Sequence, residues 1–325
     1  MNRHDALAAL REDDAGWTAG QKGLGAMLGR WRARPEVAPV LAALERFGEG
    51  APIEACPELT VLFDGASTAA HELVSGLVET GLAGLAVHPL GQLPLRHAAS
   101  PAMHALLLAH WGCATLSLVA FDGPALAALP PPQSAVFTPV ESWLHVLAGS
   151  GMADHVLCHK LHGDHAELHA GTLPLQPGVV LYRHGAYEWL QVRSAAGTVV
   201  KLRLQRLLAK HEPVREHALD DGALLHRSAA RPEDSRDALA MAVLARMGRR
   251  DAVPAMSRIA TGPGDEGLRW QALRELLTLD ARAGMVLLAQ VASSEGDPLA
   301  APARQLNRSL LSAWPELEEV ARWRA

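Results

Sequence analysis

His155-Val156-Leu157-Cys158-His159-Lys160-Leu161-His162, then Gly163-Asp164, then His165-Ala166-Glu167-Leu168-His169-Ala170 is the stretch on which the reading of this chain turns. Two alternating runs flank a Gly-Asp pair, the pattern of a β-hairpin closed by a two-residue loop. In that register His162 faces His165, Lys160 faces Glu167 and Cys158 faces His169 on one side of the sheet. Leu157, His159, Leu161, Ala166, Leu168 and Ala170 occupy the other, more apolar side. Further on, Val200, Leu202 and Leu204 alternate with Lys201, Arg203 and Gln205, the period of a half-buried strand, and Ala195-Ala196-Gly197 reads as the turn before it. The fold class predicted is therefore α+β, with a central antiparallel β-barrel or sandwich over residues 134–228.

Outward from that centre the pattern changes on both sides. Residues 1–130 read as an α-rich mixed α/β part. It contains a helix after Pro35, a short strand at Leu59–Phe63, a helix capped by Ser67, a helix from Ala102 to His110, and a strand from Ala114 to Phe121. Pro130-Pro131-Pro132 forbids helix and central strand alike and marks a boundary. Residues 232–325 return to helical periodicity in three units, Leu239–Ala260, Leu268–Ala292 and Leu299–Val320, with Ala242, Ala272 and Ala303 at equivalent places. With Leu268-Arg269-Trp270-Gln271-Ala272-Leu273 leading into a second helix at Asp280, this segment resembles a short stack of HEAT-like helical repeats.

Composition excludes some functions. The chain has 325 residues and a formal net charge of -5, with Lys and Arg interleaved among Asp and Glu, so no basic footprint for nucleic acid exists. The apolar stretch Met103–Phe121 is broken by His104, His110, Thr115 and Ser117, too mixed for a membrane span. The opening Met1-Asn2-Arg3-His4-Asp5 does not read as a secretory signal. Cys56, Cys113 and Cys158 are far apart without a paired spacing and read as free thiols. A cytoplasmic protein is expected, and richness in Ala, Leu, Arg and Gly suggests a bacterial gene of high GC content.

The histidines carry the functional expectation: six of the chain's 16 lie between His155 and His184. Their face is either solvated, with Lys160 and Glu167 paired across the strands, or it lines a barrel where imidazoles and a carboxylate suit a transition metal. On the second reading His165, Glu167 and His169 are ligands on one strand face, too stretched for one ion unless other strands contribute. The run from Gly178 through His184 and Glu188 to Gly197 is similar to part of the first cupin motif, preceded by a matching strand at Leu175–Leu181. It departs from that motif where Ala186, or Tyr182 in the alternative alignment, replaces a histidine, and downstream only His211, His217 and His226 are available for a second motif.

That resemblance implies a β-barrel holding a divalent transition metal, Zn, Fe, Ni or Mn, through His184 and Glu188. The metal would act as Lewis acid or oxygen activator on a small molecule. Parity adds that Glu188 shares a face with Leu190 and Val192 and needs a partner if that face is buried. The competing expectation is a non-catalytic scaffold, whose helical repeats bind another protein while the β domain is inert. The expected partner is thus a small-molecule ligand or another protein, and neither nucleic acid nor membrane.

Overall fold

The computed structural model describes residues 14–208, 212–229 and 231–317. Helices and antiparallel strands make an α+β protein. Instead of three parts, the chain divides into two compact units. One holds the described residues up to Ala135 together with Val140–Leu208, and the other holds Val136–Pro139 with the described residues beyond Leu208.

In the first unit α1 (Ala15–Arg32), α2 (Ala38–Gly48), α3 (Pro57–Thr60) and α4 (Ala69–Val87) precede β1 (Arg96–Ser100), β2 (Met103–Trp111) and β3 (Ala114–Asp122). A short helix α5 (Gly123–Ala127) follows. Of the strand β4 (Ser134–Phe137), the last residues belong to the second unit. Then come β5 (Val140–His162), β6 (His165–Leu175), β7 (Val180–His184) and β8 (Glu188–Leu207). The sheet order is β1-β2-β3-β8-β5-β6, with β7 also on β5, and these strands pair antiparallel.

Two long strands organise this sheet. β5 has 23 residues and β8 has 20, and they pair along most of their lengths with register shifts between Val146 and Ala148, Ala148 and Ser150, and Met152 and Ala153. Each shift is a bulge that turns the strand and increases its twist. Gly149 lies in this bend at φ 78°, and a Cβ there would collide with the carbonyl oxygen of Thr198. Opposite, Gly197 sits at φ 79° inside β8. The expected turn at Ala195-Ala196-Gly197 is therefore a bend within one continuous strand. A glycine with positive φ serves either purpose, and only the partner strand distinguishes them.

One face of the sheet is covered by the helices. Leu108, Ala114, Leu116, Leu202 and Leu204 pack with Trp31, Leu44, Phe47, Leu59 and Leu62, all nearly inaccessible to water. This shared core is why the α-rich segment is not a separate domain: without the helices, the aliphatic face of β3 and β8 would lie in water. Two local expectations are also corrected. Leu59–Phe63 is helical, because Pro57 opens a helical turn and Leu59 and Leu62, three apart, both point into the core. Ala102–His110 is mostly strand β2, where pairing with β1 and β3 overrides the helical preference of Met, Ala and Leu. The helix after Ser67 forms as expected, and Ser67 Oγ accepts from the Ala69 amide at 3.2 Å.

In the second unit a three-stranded sheet runs β4-β9-β10, with β9 at Val214–Ala218 and β10 at Leu224–Ser228. Helices α6 (Pro232–Arg246), α7 (Val253–Thr261), α8 (Glu266–Leu279), α9 (Ala281–Ser293) and α10 (Ala300–Ala313) follow and share one core. Asp265 and Asp280 cap α8 and α9 by accepting from the amides of Leu268 and Ala283 at 2.8 and 3.0 Å. Ala272 and Ala303 are fully buried, whereas Ala242 is half-buried, so the three supposed equivalents do not occupy equivalent environments. Val320, the expected end of the third unit, lies outside the described residues.

Candidate functional site

On the inner face of the sheet, away from the helical cover, β8 carries Lys201 and Arg203 in the alternation that buries Leu202 and Leu204 on the other side. Lys201 stands opposite Val119 and Val146, Arg203 opposite Ser117 and Leu144, and Arg183 of β7 opposite Ser142. Paired residues share a face, so the register brings all three cations to one side. They line a cavity of about 310 Å³ together with Phe121, Met103, Leu126, Leu129, Leu144, Trp189 and Val192, and with Gln191 and Ser100 as further polar groups. The lining contains no Asp, Glu, His or Cys.

Lys201 and Arg203 meet only neutral groups, whereas the Glu188 carboxylate, outside the lining, acts on Arg183. Arg203 Nε donates to Ser117 Oγ at 3.2 Å. Arg183 Nη1 donates to the Glu188 carbonyl at 2.8 Å, while its buried Nε has no partner. Lys201 is 7% exposed, and its Nζ lies 4.7 Å from the centre of the Phe121 ring. Burial, reinforced by Arg203 and then Arg183, pushes the Lys201 ammonium down to about 7, and burial also lowers both guanidinium groups. Three mutually repelling cations line a cavity of mixed polar and apolar character, with Glu188 outside the lining acting on Arg183 alone, so the site is short of negative charge.

The expected metal ligands lie elsewhere. Glu188 opens β8, half-buried, and its carboxylate meets His155 Nε2 at 3.3 Å. His184 ends β7 beside Arg183, and adjacent strand residues point to opposite faces. Its ring packs on Tyr187 at 5.1 Å between centres, and its buried Nδ1 has no hydrogen-bond partner. His165, Glu167 and His169 stand on the hairpin, where the two-residue loop pairs His162 with His165 and Lys160 with Glu167 as expected. A bulge between Cys158 and Lys160 then shifts the register, so Cys158 faces Leu168 and Leu157 faces His169.

As a result His159 and His169 bring their rings to 4.3 Å, and His169 approaches Glu167 at 3.7 Å in largely exposed positions. His217 is buried with Nδ1 on the Gly222 carbonyl at 2.9 Å, and His211 lies outside the described residues. Among the described residues no group of three or more His, Cys, Asp or Glu side chains is arranged to hold a metal ion. The cavity lining fits a metal still less: it offers no imidazole, thiolate or carboxylate, and its three cations oppose a fourth.

Comparison with known proteins assigns no role to the chain. No family model matches the chain, and no curated protein matches it. Cupin proteins are among the solved structures it matches. A cupin superfamily protein from Desulfitobacterium hafniense is 15% identical over 34% of this chain and 83% of that one, with a TM-score of 0.23. A cupin-2 domain from Rhodospirillum rubrum is 13% identical over 36% and 73%, with a TM-score of 0.24. A 7S globulin from Momordica charantia is 10% identical over 38% of this chain but only 35% of its own length, at 0.27.

The residues that build the cavity were missed at sequence level because alternation assigns faces without saying which is wet. Lys201 and Arg203 opposite two leucines read as a solvent face, yet Lys201 is 7% exposed and Arg203 half-buried. The available signal was Gly197, which can bend a long strand as readily as end one.

Proposed function

We propose that the first unit binds a small organic anion in the cavity, with its charged end on Arg183, Lys201 and Arg203 and its carbon skeleton against Phe121, Leu126 and Trp189. The observation that carries this reading is that buried Lys201 and half-buried Arg183 and Arg203 line the cavity with no carboxylate among the lining residues. An uncompensated buried charge costs several kcal/mol, about 3–5 when a partner is removed from a buried pair. A ligand carboxylate or phosphate supplies that missing partner and gains charge-assisted, forked hydrogen bonds from guanidinium groups. Ser117, by accepting from Arg203 Nε, fixes the plane of one guanidinium and leaves its terminal nitrogens for the ligand.

The cavity is at the small end of ligand sites, which suits a compact acid of a few carbons better than a nucleotide. Small-molecule binding thus remains the reading, while no step is assigned to a metal. The test is a thermal-shift panel of small carboxylates and inorganic phosphate against the whole protein. At least one should raise the melting temperature saturably, and Arg203→Gln should reduce that response by weakening affinity about tenfold or more. A panel without any response, or a response unchanged in the Arg203→Gln protein, contradicts the proposal.

A further inference from the structure

We infer that Lys201 is an imine-forming amine, whose Nζ condenses with the carbonyl of a small 2-oxo acid held through its carboxylate by Arg183 and Arg203. The inference rests on the anion site proposed above and names its substrate class. Three observations point to it. Lys201 is buried and lines the cavity, and among the described residues it has no ion-pair partner to keep it a fixed ammonium. Lys201 Nζ lies against the Phe121 ring, and with the residue 7% exposed its amine is largely desolvated. Arg203 is its same-face neighbour on β8, roughly 6 to 7 Å away along the strand. From those two positions a guanidinium and an amine can converge on adjacent carbons, which is where a 2-oxo acid carries its carboxylate and its carbonyl.

The charged groups facing Lys201 are Arg203 of its own strand and Arg183 of β7, both cationic. With burial they bring the amine to about 7, so near neutral pH much of it is unprotonated, whereas exposed lysines are almost wholly ammonium. The step balances without an oxidant. The amine nitrogen bonds to the carbonyl carbon as the C=O π bond opens, and one nitrogen proton passes to the oxygen. The carbinolamine then breaks its C–O bond, the hydroxyl leaving as water with the second nitrogen proton while the nitrogen lone pair forms the C=N bond of the imine. The ligand carboxylate on Arg183 and Arg203 holds the carbonyl against the nitrogen through the sequence.

The test uses the whole protein, pyruvate as probe and cyanoborohydride, which reduces an imine to a stable secondary amine. Intact mass should show one addition per chain, equal to pyruvate less one oxygen atom. Peptide mapping should place it on Lys201, with exposed Lys22 and Lys160 serving as internal controls. Lys201→Met should abolish the addition, and mapping of the unaltered protein keeps the result readable if that variant misfolds. Absence of label, or label spread evenly over Lys22, Lys160 and Lys201, overturns the inference. Propionate, which has the carboxylate but no carbonyl, separates the two proposals. Thermal stabilisation by pyruvate and propionate without label refutes the imine and leaves the anion site standing, whereas no stabilisation and no label refutes both.

Discussion

At the scale of single residues, the chain has two buried cationic centres that differ in one respect. Arg206 is fully answered: it pairs with Glu141, lies over the Phe47 ring and donates to the carbonyls of Phe47 and Ala51. Glu141→Ala should therefore cost about 3–5 kcal/mol in urea unfolding, because it strands the guanidinium. A loss below about 1 kcal/mol would show that the pair is not an anchor. Lys201 is unanswered, and its titration reports this. Its ammonium releases a proton near 7 in the folded chain but only near about 10.4 when unfolded. Between those values the unfolded chain holds the extra proton, so stability from this group rises with pH across the window. It is fully present only above the ordinary lysine range and is lost as pH falls toward 7. Unfolding free energy measured at about pH 7 and pH 9 should rise more in the unaltered protein than in Lys201→Met. Equal rises would mean that Lys201 is not desolvated.

The element scale separates what was legible in the sequence from what was not. The hairpin at Gly163-Asp164, the helix after Ser67 and the helical start at Pro232 were all readable, because each is set by local chemistry: a two-residue turn, a cap, a proline at the first helical turn. The bends of β5 and β8 were not, because they depend on which backbone approaches which glycine. Gly149 carries that information: φ is positive, and the space a Cβ needs is filled by Thr198. Gly149→Ala should destabilise the protein by about 1–3 kcal/mol in urea unfolding. Unchanged stability would show that the strand relaxes without it. The bulge at the hairpin was hidden for the same reason, and a one-residue shift sufficed to move Cys158 away from His169.

At the scale of the whole molecule, the α-rich segment and the antiparallel sheet form one folding unit. Their common core predicts that a fragment beginning near Arg96 will be insoluble or molten, with Leu116, Leu202 and Leu204 uncovered. A soluble fragment with native near-ultraviolet dichroism would contradict that. Among the described residues, no helix is long and apolar enough to cross a membrane. The candidate site was only partly legible. The sequence directed attention to this sheet and to the strand that Glu188 opens, but it favoured histidines over the cations because imidazoles are conspicuous and an Arg or Lys on a strand normally means solvent. The donors around the cavity, not the count of histidines, determine its chemistry.

The most direct measurement of the central claim is isothermal titration of the whole protein with pyruvate and propionate at neutral pH, in buffer containing a chelator. Saturable binding of one anion per chain is expected, undiminished by the chelator and weakened about tenfold or more in Arg203→Gln, as for loss of charged hydrogen bonds. Binding that disappears with the chelator, or that is indifferent to Arg203→Gln, would contradict it.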